Sequence, residues 1–236
     1  HTLVPDGMDN LAAKAAEGWF RLAGRRQGVR IRIHKRIPVG GGLGGGSSNA
    51  VAVLKGLNLL AEKPLPEKLL SELAATLGSD CPLFLANRSC LIEGRGELVE
   101  DLLPMASAQV SGRKVLLFAP KLSISAAEAF SALRSEFGDF SESDRAYGKV
   151  RSWLDGNDTL ESILGNDLER SVFRKYPGIG ILLEELRARF GWSCGMSGSG
   201  SCCFALLSED STTDEGKEVI WSAWGRGCFI WETVLV

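Results

Sequence analysis

Histidine and paired cysteines are scarce in this sequence, which argues against a structural metal site. The 236 residues include only two histidines, His1 and His34, and six cysteines. No two cysteines have the C-x-x-C spacing that structural zinc sites use. Several lie among apolar residues, as in the stretch SCCFAL at 201–206. We therefore expect no protein-held metal and reduced cysteines that pack as small hydrophobic residues.

Long apolar runs and an excess of basic residues are also lacking. No run approaches the length of a membrane span, and no segment has the pattern of a signal peptide. Lys and Arg total 27 against 29 Asp and Glu, a net charge of −2, so there is no broad basic field for nucleic acid. We expect a metabolic enzyme of the cytoplasm, or of the plastid in a plant-type source, that acts on a small molecule and binds neither nucleic acid nor membrane.

Glycine, in contrast, is concentrated in one informative segment. Residues 38–50 read PVGGGLGGGSSNA, with six glycines among the seven residues 40–46. The apolar spacing of residues 50–60 predicts that a helix follows. Bare backbone N–H groups, access to positive φ and a helix N-terminus are together suited to holding phosphate.

Two known phosphate loops and a plain linker are alternatives for this segment. A P-loop is excluded, because no lysine follows the glycines. Gly40, Gly42 and Gly45 satisfy a dinucleotide fingerprint, but residues 29–34 (VRIRIH) alternate like a strand with one wet face, and no second βαβ unit follows. A flexible linker is disfavoured between a strand and a helix that has Ser47, Ser48 and Asn49 as candidate caps.

The order of predicted elements indicates an α+β protein of two domains. A composition shift at 105–112 places the boundary between 110 and 111, giving domains 1–110 and 111–236. The second domain interleaves strands and helices like a ferredoxin-like layer. Helices are predicted at 10–22 with Asp9 as N-cap, 50–60, 66–77, 125–133, 168–190 with a break at Pro177, and 215–224. Strands are predicted at 29–34, 90–94, 114–120, on both sides of 198–200, and at 228–236.

Two further segments are candidates for chemistry. Asp80, in LGSDCPLF at 77–84, is either a general base or a turn cap. The glycine segment favours the base, because phosphoryl transfer needs a group that deprotonates or positions the acceptor. The small residues of GMSGSG at 195–200 indicate either close approach of the backbone to a ligand or loop, or a plain hairpin turn.

Taken in order, these segments resemble the GHMP small-molecule kinases over nearly the whole chain. The resemblance implies a ribosomal S5-like N-terminal domain, incomplete here, and a ferredoxin-like C-terminal domain. The GSDCP at 78–82, which contains Asp80, and the NDLE at 166–169 are most similar to the motifs of one group of members. The members of that group use ATP and Mg²⁺ to phosphorylate the 2-hydroxyl of a cytidine diphosphate-linked methylerythritol, in the non-mevalonate route to isoprenoids. Alternatives are a GHMP kinase for a mevalonate-like or sugar acceptor, or a nucleotide-binding protein with impaired catalysis. The matching segments are DNL at 9–11, KRIP at 35–38, the glycine segment, GSDCP at 78–82, NDLE, and MSGSG at 196–200.

The resemblance also implies roles for individual residues. Asp80 would be the catalytic base, and Asn10 and Lys35 would lie near the adenine. Phe130 would stack on cytosine, although its helical spacing also suits a core position. Ser199 and Gly200 would back the glycine loop near the transferred phosphate. The ATP phosphates would be wrapped by Pro38, Val39, Gly40, Gly41, Gly42, Leu43, Gly44, Gly45, Gly46, Ser47 and Ser48.

The sequence departs from the family pattern in one respect. Two N-terminal motifs, a K-[IL]-N-L strand whose lysine assists the aspartate and an R-x-D-G-Y-H segment that grips the cytidine, do not occur in these residues, which begin at His1. The resemblance therefore implies that residues 1–236 alone have weak or no turnover. Missing strands would also leave sheet edges open and lower the solubility.

Overall fold

The computed structural model describes residues 4–25, 27–138 and 143–236. By their internal contacts these residues form two compact units. The first consists of residues up to Val39 together with Gly44–Leu102, and the second of Gly40–Leu43 together with Leu103–Val236. The glycine segment is thus divided, with Gly40–Leu43 grouped with the second unit.

The first unit is built on four helices around a small core. A 3-10 turn at Gly7–Asp9 precedes α1 (Leu11–Leu22), α2 (Gly45–Leu60), α3 (Glu67–Leu77) and α4 (Cys81–Ala86). α1 packs on α2 and α3, and the ring N–H of Trp19 donates a hydrogen bond of 3.1 Å to Oδ1 of Asn58 on α2. Burial of this apolar face stabilises helices that would be marginal alone. The core is formed by Ala15, Trp19, Ala50, Val51, Leu54, Leu70, Leu73, Ala74 and Cys81.

The helix starts in this unit correct two sequence predictions. The N-cap of α1 is Asn10 rather than Asp9, because Asn10 Oδ1 accepts a hydrogen bond of 2.9 Å from Ala12 N. α2 begins at Gly45, so Ser47, Ser48 and Asn49 lie inside the helix and do not cap it. Its N-cap is Gly44, which has a φ of 61° and no side chain to offer.

The predicted strand at 29–34 is wrong. The described residues of this region belong to no strand, whereas β1 (Cys90–Glu93) and β2 (Leu98–Asp101) form an antiparallel hairpin. An alternating pattern makes a strand only when a neighbouring strand accepts its backbone hydrogen bonds. Within the residues described, no strand pairs with 29–34.

The second unit contains a four-stranded antiparallel sheet in the order β4-β5-β3-β6. Its strands are β3 (Lys114–Ala119), β4 (Ser193–Met196), β5 (Cys203–Leu206) and β6 (Phe229–Val234). α6 (Ala126–Phe137), α8 (Leu168–Lys175), α9 (Pro177–Phe190) and α10 (Asp214–Trp224) share a buried core with the sheet. This order and connectivity confirm the ferredoxin-like layer, and Pro177 separates α8 from α9 as predicted.

Two further helices, α5 (Pro104–Val110) and α7 (Ser143–Leu154), complete the second unit together with a 3-10 turn at Leu160–Ile163. Gln109 on α5 accepts hydrogen bonds from the Trp153 ring N–H and from Leu160 N, at 3.3 and 2.8 Å. These bonds connect α5 to α7 and to the 3-10 turn at Leu160–Ile163. The division by contacts accordingly falls at Leu102/Leu103, eight residues before the boundary that the composition suggests.

The cysteines are reduced and most of them are buried. All six cysteines are free thiols, and Cys81, Cys194, Cys202 and Cys203 are buried. Burial raises the pKa of the Cys194 and Cys202 thiols to about 12, so these thiols are protonated and pack as hydrophobic groups. Among the described residues no helix is long and apolar enough to cross a membrane.

Candidate active site

The N-terminus of α2 is open to an anion. Gly44 provides no side-chain cap, so no side chain satisfies the first N–H groups of this 16-residue helix. The helix dipole adds partial positive charge at the same end. The glycines therefore leave backbone donors available at the place where the sequence predicts a phosphate.

Lys35 brings a full positive charge to the same helix end. A Cβ built on Gly45 would lie 2.6 Å from Lys35 Nζ, so the ammonium group rests against the first residue of α2. Burial lowers the pKa of Lys35, and among the described residues no carboxylate forms an ion pair with it. A half-buried cation beside a positive helix end is electrostatically unfavourable without an anion. The arrangement favours a role for Lys35 in binding phosphate. The resemblance had implied only that Lys35 lies near the adenine.

This geometry predicts a pH dependence for ATP binding. As the pH rises through the lowered pKa, Lys35 loses its proton and the KM for ATP should increase, whereas at lower pH the charged form keeps KM low. Lys35→Arg, which stays charged, should remove this dependence. Lys35→Met should raise KM about tenfold at neutral pH, the value of one charge-assisted hydrogen bond. Steady-state kinetics of the complete gene product measure these KM values, and Lys14→Met, at an exposed lysine, is the control. Equal KM values for ATP in Lys35→Met and Lys14→Met would contradict the role of Lys35.

Asp80 lies close to the glycine segment within the first unit. A Cβ on Gly44 would lie 3.3 Å from Asp80 Oδ2 and 2.7 Å from the ring of Phe84. Asp80 occupies the N-cap position of α4, yet its side chain makes no capping hydrogen bond. Within the described part of the chain, no hydrogen bond or ion pair engages this exposed carboxylate. The turn-cap alternative is therefore wrong, and the carboxylate is available to a ligand.

The backbone around Asp80 is fixed from both sides. Cys81 N donates a hydrogen bond of 3.0 Å to Gly78 O, which closes the turn after α3. Gly96, in the turn between β1 and β2, has a φ of 105° and packs so closely that a Cβ there would overlap Ser79 O. Two turns thus hold the segment that presents the carboxylate, and this rigidity suits a catalytic group.

In the second unit, Gly40–Leu43 packs against the turn that follows β4. Ser197 Oγ donates a hydrogen bond of 2.9 Å to Gly42 O, and Cys202 N donates one of 3.0 Å to Gly41 O. A Cβ on Gly42 would overlap Ser197 O. The small residues of 195–200 therefore serve close backbone approach rather than a plain hairpin alone. Sequence reasoning missed Ser197, because nothing local distinguishes its hydroxyl from those of Ser199 and Ser201.

Asn10 and Lys35 line one cavity of the first unit, of about 710 Å³. The Asn10 amide is partly engaged, since Nδ2 donates to Pro5 O at 2.9 Å while Oδ1 caps α1. Ile31, Ile33 and Ala13 supply apolar walls. Asp6, His34 and Arg36 add polar and charged groups, so the lining is mixed, and the cavity has room for a small organic ligand.

The residues predicted to meet the acceptor lie in the second unit. Phe130 on α6 is 40% exposed, so it is not a core residue. Ser199 and Gly200 lie in the turn between β4 and β5, where Gly200 N donates to Ser197 O at 2.9 Å. Ser199 makes no bond to the glycine segment, and Ser197 takes the supporting role that the sequence suggested for Ser199.

No cluster of three or more His, Cys, Asp or Glu that would hold a metal ion occurs among the described residues. A divalent cation at this site would need oxygen ligands from elsewhere, such as nucleotide phosphates and water.

Two models of known protein families match this chain. The family model for the N-terminal domain of GHMP kinases matches residues 10–87, and the model for their C-terminal domain matches residues 150–226. The chain belongs to the GHMP kinase family. The first match contains the glycine segment and Asp80, and the second contains the turn between β4 and β5.

Curated relatives include 4-diphosphocytidyl-2-C-methyl-D-erythritol kinases. That of Geobacter sulfurreducens is 36% identical over 92% of this chain and 74% of its own length. That of Gloeobacter violaceus is 34% identical over 99% of this chain and 77% of its own length. The chain thus spans about three quarters of these relatives.

Solved structures agree with this membership. A crystal structure of a 4-(cytidine 5'-diphospho)-2C-methyl-D-erythritol kinase superposes with a TM-score of 0.72 at 33% identity, covering 97% of this chain and 79% of the other. A homoserine kinase from Cytophaga hutchinsonii has a TM-score of 0.71 at 20% identity, covering 98% of this chain and 78% of the other, and therefore shows a shared fold alone. Both matches confirm the predicted α+β GHMP fold.

Proposed function

We propose that this GHMP kinase transfers the γ-phosphoryl group of ATP to the 2-hydroxyl of 4-diphosphocytidyl-2-C-methyl-D-erythritol. The observation that carries the proposal is the unpaired Asp80 carboxylate beside Gly44, at the open N-terminus of α2. A phosphate site with a free base next to it has the two parts that phosphoryl transfer to an alcohol requires. The choice of acceptor rests on relatives with that name at 33–36% identity.

Different residues of the chain have different roles in the phosphoryl transfer. Asp80 accepts the proton of the acceptor hydroxyl while the oxygen forms its bond to the γ-phosphorus and the bond to the ADP oxygen breaks. Backbone N–H groups of the glycine segment and the Lys35 ammonium bind the phosphate oxygens, where negative charge is concentrated. Asn10 and the cavity walls of Ile31 and Ile33 are assigned to the adenine, and Phe130 is assigned to the acceptor. Ser199 and Gly200 are assigned to the substrate side of the turn, near the transferred phosphate.

A magnesium ion bound with ATP would offset the charge on the β- and γ-phosphates. Phosphate oxygens and water would supply its ligands, which leaves the Asp80 carboxylate available as the base.

A substrate panel tests the proposed reaction. The complete gene product would be incubated with [γ-³²P]ATP and Mg²⁺ and offered 4-diphosphocytidyl-2-C-methyl-D-erythritol, mevalonate, homoserine or galactose. Rapid labelling of the cytidine compound alone is the expected result. Preferential labelling of another alcohol would replace the acceptor and keep the kinase, whereas ATP binding without labelling of any acceptor would indicate a nucleotide-binding protein.

Phe130 gives a prediction for the acceptor side. Replacing Phe130 with alanine should raise the KM for the cytidine acceptor about tenfold, since stacking of one base on an aromatic ring is worth ~1–3 kcal/mol, and leave the KM for ATP unchanged. The side chain is 40% exposed, so its truncation also removes some apolar packing, and thermal melting of the variant separates lost stability from lost acceptor binding. Tyr147→Ala on α7, which removes another exposed ring, is the matched control. Equal acceptor KM values for both variants would contradict the stacking role.

A further inference from the structure

Asn166, which begins the NDLE segment two residues before α8, uses both N–H donors of its side-chain amide on one turn. Its Nδ2 donates hydrogen bonds to Met196 O at 2.9 Å and to Gly198 O at 2.7 Å. Its Oδ1 accepts from Leu168 N at 3.0 Å, which fixes the amide against the start of α8. An amide has two N–H donors, and both point at the turn between β4 and β5.

Glu169, one turn along the same helix, binds the remaining polar group of Met196. Its Oε1 accepts a hydrogen bond of 2.8 Å from Met196 N. The carboxylate is half-buried, with the charge of Arg187 nearby. Arg187 in turn donates from Nη2 to Cys194 O at 2.7 Å. Asn166 and Glu169 together satisfy both backbone groups of Met196 and the carbonyl of Gly198.

The same turn holds Gly40–Leu43 from its other side, through the bonds of Ser197 and Cys202 described above. Gly198 also packs on the loop, since a Cβ there would lie 3.0 Å from Gly42 O. A continuous set of contacts therefore runs from Asn166 and Glu169 through the turn to the glycine loop. Every member of this set lies in the second unit.

We propose that Asn166 and Glu169 are positioning residues that preorganise the glycine loop for nucleotide binding, an inference that rests on the proposed kinase function. A glycine-rich loop loses more conformational entropy on ordering than any other. A loop that is held in its binding conformation beforehand does not lose that entropy when ATP binds. Asn166 and Glu169 act through the turn and need not touch the nucleotide.

The test compares Asn166→Ala, Glu169→Ala and Glu169→Gln in the complete gene product, without acceptor. Hydrogen exchange of the backbone amides of Gly40–Leu43 reports the order of the loop directly, and calorimetric titration with ATP and Mg²⁺ gives the dissociation constant. We expect both alanine variants to exchange about tenfold faster in the loop and to bind ATP about tenfold more weakly, the equivalent of one lost hydrogen bond to a positioned group. Glu169→Gln retains an acceptor for Met196 N and should restore most of the affinity.

Controls separate positioning from general stability. Ser162→Ala removes one local bond in an exposed turn, and Glu184→Gln neutralises an exposed carboxylate on α9. Neither should change loop exchange or ATP affinity. If the alanine variants melt at lower temperature but show unchanged loop exchange and ATP affinity, the residues are merely structural and the proposal is overturned. Loop exchange needs no substrate, so failure of the unaltered protein to phosphorylate any acceptor would count against the kinase function alone.

Discussion

Replacing Asp80 with asparagine is expected to lower kcat by about three orders of magnitude, the usual loss when a general base is removed from a proton transfer. Asparagine matches the shape of the side chain and cannot accept the proton of the acceptor hydroxyl. The carboxylate does not cap α4 and forms no bond within the described residues, so the free energy of unfolding should change by no more than about 0.5 kcal/mol. Single-turnover phosphorylation measures the chemical step directly.

The Asp80 experiment distinguishes a base from a binding group. The dissociation constant for ATP should stay within about threefold of the unaltered value, since the neutral side chain removes a charge that repels phosphate. Asp210→Asn, at another exposed carboxylate, is the matched control and should retain full activity. A kcat above roughly a tenth of the original in Asp80→Asn would mean that another group takes the proton.

Features that depend on a few neighbouring residues could be predicted from the sequence. The apolar spacing gave α1, α3 and α10 to within one residue at each end, and Pro177 marked the break between α8 and α9. The glycine segment was recognisable because glycine at positive φ has few other uses, and it was this segment, not the local sequence, that favoured a base over a turn cap at Asp80. The order of elements after β3 was sufficient for the ferredoxin-like sheet.

Features that depend on distant partners could not be predicted. The alternation of 29–34 indicates a strand, but a strand needs a neighbour, and the described chain provides none there. Ser197 and Gly42 are 155 residues apart, and Asn166 and Met196 are 30 apart, so no local pattern reports their bonds. The NDLE segment marks the family in the sequence. The contacts of Asn166 and Glu169 with the turn between β4 and β5 are visible only in the hydrogen bonds.

Replacing Gly42 with alanine should reduce kcat/KM for ATP by about a hundredfold. Its φ of 75° costs an alanine roughly 1–2 kcal/mol, and the new methyl group would overlap Ser197 O while lying 2.8 Å from Gly200 N. The overlap with backbone adds a further ~1–3 kcal/mol, which the loop relieves by moving away from its binding conformation. The sum of about 2–5 kcal/mol corresponds to a loss of affinity of roughly thirtyfold to several thousandfold. Gly56→Ala in α2, where a Cβ meets nothing within 4 Å, is the matched control and should stabilise the helix by about 0.5–1 kcal/mol. Normal ATP kinetics in Gly42→Ala would mean that the loop does not hold the phosphates in the conformation described.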